Sequence, residues 1–188
     1  WNYKPKKTPK LKELLFIGND QNRDFELLYS IAKKHKEYNF TIVSKYDNYE
    51  FSKLKNVKFL QGNLRDNILL DTEIQSLYHR ADLVILPLKT STQPSGQSVA
   101  IQSMSSGTPV MMTKTNGFWD SLHYIESKNI LFVDSQNLIG WDIKLIQLSN
   151  NLDILTTISS EGRKLIEANH DLNNFIKMLS DYSVEIEL

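Results

Sequence analysis

Short, mostly apolar runs recur along this chain, and most are followed by a stretch with helical spacing. Leu14-Leu15-Phe16-Ile17, residues 40–43, residues 57–60, Leu83-Val84-Ile85-Leu86, Val110-Met111-Met112 and residues 130–133 make six such runs. A strand that is apolar at successive rather than alternate positions must be covered on both faces. Strands of this kind alternating with helices predict a parallel sheet sandwiched between helices and joined by right-handed crossovers. The expected fold is therefore α/β: a doubly wound, Rossmann-like, six-stranded parallel sheet with extra C-terminal helices at about 138–149, 152–167 and 172–182.

Between the strands, Phe25, Leu27, Leu28, Ile31 and Ala32 follow helical spacing and predict a helix over 23–36. Residues 45–55 are polar and aromatic and read as loop or a broken turn of helix. Thr72 and Gln75 have the spacing of a capping box, which predicts a helix running to about Arg80. Residues 120–127 read as a short helix, and Asp171 as the N-cap of the last one.

The stretch from 92 to 117 carries the clearest site signal. Pro94-Ser95-Gly96 is turn chemistry that feeds straight into a helix over 98–106. Gly107 sits where a helix C-terminal glycine belongs, with Pro109 beyond it to stop continuation. A glycine loop opening a helix leaves backbone N–H groups pointing outward, a seat for an anion such as phosphate. In a doubly wound sheet ligands bind beyond the carboxyl ends of the strands. Three features fall on that edge: the turn from Gly18-Asn19 to Arg23, the pair Gly62-Asn63, and residues 94–102. Neither a GxGxxG fingerprint nor a Walker A loop follows the first strand, which argues against NAD and P-loop ATP chemistry.

Composition narrows the classes further. The net charge is zero, so no global electrostatic case exists for a nucleic-acid partner. Residues 4–12 hold five lysines, which suit either a solvated linker or contact with anionic lipid. There are no cysteines, which removes disulfides, thiol nucleophiles and thiolate metal sites and fits a reducing compartment. The four histidines are scattered without the spacing of a metal pair, so no metal site is expected. No apolar run is long enough to span a membrane. The expected location is the cytoplasm, with peripheral contact at the inner face of the membrane left open.

Three segments together carry a resemblance: Val57-Lys58-Phe59-Leu60; Leu77-Tyr78-His79-Arg80-Ala81-Asp82 running into Leu83-Val84-Ile85-Leu86-Pro87; and Gln102-Ser103-Met104-Ser105-Ser106-Gly107-Thr108-Pro109-Val110. They are similar to the C-terminal half of a group 1, family 4 glycosyltransferase, whose two Rossmann-like domains face a cleft in the GT-B arrangement. The resemblance implies that residues 11–188 form the domain holding a nucleoside diphosphate sugar, a UDP- or GDP-sugar. Residues 1–10 would be the linker from an N-terminal domain that binds a glycan or lipid-linked acceptor. It further implies retention of configuration, no metal and no cofactor beyond the sugar nucleotide.

The family's paired glutamates fall here on Pro94 and Gln102. The resemblance makes Gln102 the ribose contact, by hydrogen bonding without charge, and leaves Pro94 unable to replace a carboxylate. Ser95, Gly96, Gln97 and Ser98 match the amide-donating positions around the diphosphate. A basic pair after the first strand falls on Asn19 and Arg23, the latter after a one-residue deletion. Gly62 and Asn63 match the base-binding positions, and Asp120 an acidic residue after a glycine turn. Each has a plainer reading: Arg23 as a surface residue near a helix start, Gln102 as a satisfied polar group, Asp120 as a helix cap, Phe118 and Trp119 as core or cleft rim, Asp82 as a local cap. No catalytic base or nucleophile is assigned. The departures at 94 and 102 keep a second function open, a Rossmann-like binding or scaffold domain that has lost transferase chemistry. A flavodoxin-like or receiver domain is disfavoured because no acidic cluster closes the first strand.

Overall fold

In the computed structural model the described residues are 2–5, 10–46, 49–62, 69–134, 137–172, 174–176 and 179–180. Six strands form one sheet: β1 (Glu13–Ile17), β2 (Asn39–Ser44), β3 (Val57–Gln61), β4 (Leu83–Leu86), β5 (Val110–Thr113) and β6 (Leu131–Val133). Their order across the sheet is β3-β2-β1-β4-β5-β6, and every pairing is parallel. The helices are α1 (Phe25–Lys34), α2 (Tyr49–Ser52), α3 (Asp71–Arg80), α4 (Gln97–Ser105), α5 (Leu138–Asn150) and α6 (Asp153–Asn169). The expected doubly wound sheet is the one observed.

The continuous apolar strands serve two cores. Leu14 and Phe16 face one side with Phe40, Ile42, Leu83 and Ile85, where α1 and α5 cover them through Leu28, Ile31, Trp141 and Leu145. Leu15 and Ile17 face the other with Val84, Leu86 and Met112, covered by α3, α4 and α6. Successive side chains of a strand point to opposite faces, so an alternating pattern would have left one of these cores polar. α4 ends as its sequence predicts: Gly107 has φ +80° just after Ser106, and Thr108 N–H returns to Ser103 O at 2.9 Å. α6 lies across this end, with Ser159 Oγ donating to Gly107 O at 2.6 Å and Arg163 Nη1 to Ser105 O at 2.6 Å.

Residues 2–5 also reach this end of α4. Lys4 N–H donates to Ser106 O at 3.2 Å, and the Tyr3 ring lies 5.5 Å from the Arg163 guanidinium. His79 is half-buried and bonds Asn2 O at 2.8 Å. Among the described residues no helix is long and apolar enough to cross a membrane.

Several local expectations are corrected. Residues 120–127 form turns instead of a helix, because the Asp120 carboxylate accepts from Leu122 N–H and His123 N–H, each at 3.1 Å, and so closes a tight Asx-type turn. α3 begins one residue before Thr72; Leu70 precedes it, and Glu73, not Gln75, reaches back to Leu70 N–H at 2.8 Å. Asp82 is not a local cap. Its Oδ2 accepts from Lys12 N–H at 3.0 Å and Glu13 N–H at 2.8 Å, tying the start of β1 to the start of β4. The broken turn expected within 45–55 is α2. Of the closing stretch 172–182, the described residues are helical.

Asp82→Ala strands both of those N–H groups at the entry of the central strand. It is expected to lower stability by about 1–2 kcal/mol, read as a shift in urea midpoint at constant slope. An unmoved midpoint would mean that water satisfies them equally well.

Candidate functional site

The chain runs outward from β1 through β2 to β3, then returns to place β4 on the opposite side of β1. β1 and β4 are thus the neighbours at which the winding reverses. The loop after β1 leaves toward α1 on one face, and the loop after β4 leaves toward α4 on the other. Two loops that part in this way open a crevice at the carboxyl edge. A cleft of about 850 Å³ lies there, lined by residues 17–20, 22–23 and 93–99 together with Lys45.

Backbone contacts hold the two loops together at the cleft floor. Asp24 N–H donates to Pro87 O at 3.0 Å and Lys89 N–H to Asn22 O at 2.9 Å, which forms an antiparallel bridge between Arg23 and Leu88. The bridge sends the Arg23 side chain under the cleft. It is 4% exposed and lies against the Cα of Gly18, where a Cβ would come within 2.3 Å of Nε. Any side chain at 18 would displace the guanidinium. The other end of the guanidinium meets Gly96, whose φ of +81° turns the chain into α4.

Around Arg23 the polar contacts are few and specific. Nε stands 3.2 Å from Asp20 Oδ2, close enough for ion pairing but not aligned as a hydrogen bond. Nη1 donates to Ser95 Oγ at 3.5 Å, and that hydroxyl donates to Asp20 Oδ1 at 3.0 Å. Burial pushes the guanidinium below its ordinary pKa, while the Asp20 charge pulls it back up. It remains a cation, as arginine does in proteins. Gly96 offers no side chain to cap α4. The N–H groups of Gln97, Ser98 and Val99, three of the four left over at any helix start, belong to residues that line the cleft.

The residues singled out in the sequence separate accordingly. Gly18, Asn19, Arg23, Ser95, Gly96, Gln97 and Ser98 come together on one cleft. Arg23 is not the surface residue of its plainer reading. Asn19 lines the cleft, yet both ends of its amide are engaged. Nδ2 donates to Gly62 O at 3.2 Å, while Oδ1 accepts from Ser44 Oγ at 3.2 Å and Lys45 N–H at 2.5 Å. Asn19 thus clasps the ends of β1, β2 and β3, and Gly62 enters the site through that clasp. Asn63 lies outside the described residues. Gln102 is half-buried on α4 beyond the cleft lining, where its Oε1 accepts from the Tyr78 hydroxyl at 3.1 Å. Burial raises the Tyr78 phenol pKa, keeping that proton in place.

Phe118 and Trp119 pack against the core with Tyr124 and Phe132. Burial pushes the Asp120 carboxyl upward, but hydrogen bonds from the His123 side chain and from the His123 and Leu122 backbone outweigh it. Its pKa therefore lies below the ordinary value, as suits a carboxylate that closes a turn. Two charged residues of the cleft were not foreseen. Asp20 lay inside a polar turn, and Lys45 follows β2 directly. The signal for Lys45 was available, since the residue just past any parallel strand faces this same edge.

The six-stranded parallel sheet with helices on both faces is a Rossmann-like fold that matches solved glycosyltransferases. The chain belongs to the family described as glycosyl transferases group 1, whose sequence model matches residues 12–151. Among solved structures it is similar to the C-terminal domain of a glycosyl transferase group 1 family protein, LpcC, from Francisella tularensis. That match has 18% identity and a TM-score of 0.67, over 87% of this chain and 88% of that one. It is also similar to sucrose-phosphate synthase from Thermosynechococcus elongatus, at 17% identity and TM-score 0.72 over 95% of this chain and 46% of the synthase. Anabaena HepE in complex with UDP-glucose matches at 15% identity and TM-score 0.72, over 94% of this chain and 49% of that one. The chain spans about half the length of these last two proteins. No curated protein matches it in sequence.

Gly18→Ala places a methyl group where the guanidinium now rests. It is expected to cost about 1–3 kcal/mol in chemical denaturation through overpacking of a filled site. An unchanged stability would show that Arg23 can leave its seat freely.

Proposed function

We propose that this chain is the donor-binding, C-terminal domain of a family 4 GT-B glycosyltransferase, holding the diphosphate of a UDP- or GDP-sugar in the cleft between β1 and β4. One observation carries the reading: the uncapped start of α4 and the buried Arg23 cation meet in one open cleft at the sheet's reversal point. A diphosphate matches that combination, since it takes hydrogen bonds from several N–H groups at once and seeks positive charge. In the transfer step the bond between sugar and diphosphate breaks, and charge grows on the departing phosphate oxygen. Fixed N–H dipoles and a cation already in place stabilise that charge without reorganising. This is the basis for proposing transfer without a metal.

The rest of the proposal concerns the whole protein. Residues 1–10 lead from an N-terminal domain that holds a glycan or lipid-linked acceptor, and residues 11–188 form the donor domain. Configuration is retained, and the protein works in the cytoplasm, in contact with the inner face of the membrane where the acceptor is lipid-linked. The similarity to an LpcC C-terminal domain supports reading the chain as one such domain, and HepE, solved with UDP-glucose, supports a sugar nucleotide as the ligand. Ser95, Gly96, Gln97 and Ser98 hold the phosphates. By the resemblance Asn19 belongs with the diphosphate, Gly62 and Asn63 are assigned to the base, and Gln102 is assigned to the ribose. A second reading, a binding domain without transferase chemistry, is favoured by Pro94, which gives the cleft wall no polar side chain. It predicts that the full-length protein neither transfers nor hydrolyses any sugar nucleotide.

Calorimetric titration of the chain with UDP and with GDP tests the donor site. Saturable binding of one is expected. Ser98→Pro deletes a single N–H in the first helical turn, where proline is tolerated, and should weaken that binding about tenfold or more, the worth of one hydrogen bond to a charged group. Equal affinity in a folded Ser98→Pro variant would remove the helix start from the site.

A further inference from the structure

The cleft is lined by two cations, Arg23 and Lys45, and one carboxylate, Asp20. The two cations stand in opposite situations. Arg23 is buried, and its charge is met at 3.2 Å by Asp20, which also holds Ser95. Lys45 is exposed, and its ammonium lies 4.9 Å from the centroid of the Tyr46 ring. Among the described residues no carboxylate pairs with it. Among the described residues, an anion entering the cleft therefore meets one cation paired with a carboxylate and one that is not. A cation paired with a carboxylate attracts an anion less than one that is not.

The place of Lys45 is built into the sheet edge. Its backbone N–H is held by Asn19 Oδ1 at 2.5 Å, and Asn19 is fixed in turn by Ser44 Oγ and Gly62 O. The amide of a cleft residue thus sets where the lysine begins. The Tyr46 ring beside the ammonium adds a cation–π contact at a wet site, which limits its wandering without removing its charge. The guanidinium, by comparison, touches Gly18, Ser95, Gly96 and Asp20, and its contacts join the β1 loop to the start of α4.

We infer that Lys45 makes a second ionic contact with the phosphates of a nucleoside diphosphate in this cleft, beside Arg23, which also fixes Asp20, Ser95 and the start of α4. The inference rests on the donor-site reading above.

The test titrates the 188-residue chain with whichever of UDP and GDP binds, at low and at high salt. Lys45→Gln is expected to weaken binding about tenfold and to flatten its salt dependence, since the screened contact has been removed. Lys45→Arg, which keeps the charge, is expected to restore both. Unchanged affinity in Lys45→Gln overturns the inference, and so does equal weakening in Lys45→Gln and Lys45→Arg, which would assign the residue a role other than charge. Failure of the unsubstituted chain to bind either nucleotide is a different result: it overturns the donor-site reading, and this inference with it. Because Lys45 is exposed, both variants should keep the native circular dichroism spectrum.

Discussion

A parallel sheet can be wound in two directions from its middle only if the connections after two neighbouring strands leave on opposite faces. Here those strands are β1 and β4. α1 covers the face with Leu14 and Phe16, and α4 the face with Leu15 and Ile17. Because all strands are parallel, both departures occur at the same edge, and the gap between them opens among the free N–H groups of α4. The cleft thus follows from how the sheet is wound. Its position was set before any side chain in it was chosen.

What the side chains add is electrostatic order. A buried guanidinium is costly unless charge or hydrogen bonds compensate it. Asp20 and Ser95 compensate it here, and Gly18 gives it room. The cluster stiffens the junction of two loops that are also joined by the backbone bridge at Arg23 and Leu88. Asn19 performs the matching task on the other side, joining the ends of β1, β2 and β3 through one amide group. Both residues were singled out in the sequence as ligand contacts. The structure gives each an internal job as well, and sets Lys45 beside them as a cation with no carboxylate partner among the described residues.

Much of the fold was legible because both-face burial leaves a plain mark. A run such as Leu83-Val84-Ile85-Leu86 has few other uses, and β4 matches its predicted bounds. The helix stop at Gly107 was legible for a similar reason, since positive φ is cheap for glycine alone. The misreadings have a common cause. Thr72 with Gln75, and Asp120 at the head of an apparent helix, were judged on local spacing, whereas the observed bonds depended on which N–H group the folded chain left unpaired. Asp82 is the clearest case: its partners lie at Lys12 and Glu13, far from it in sequence.

The sequence by itself determined the number of strands and the burial of the central ones, their alternation with helices, and the glycine-opened helix that faces the cleft. These follow from apolar spacing and backbone conformational limits, which act over a few residues. Only the tertiary structure decided the strand order, the pairing of Arg23 with Asp20 and Ser95, the withdrawal of Gln102 toward Tyr78, and the arrival of Lys45 beside a loop that precedes it by more than twenty residues. Charges and amides act through space over a few ångströms. Which of them meet is known only once the chain has brought its distant loops to one edge.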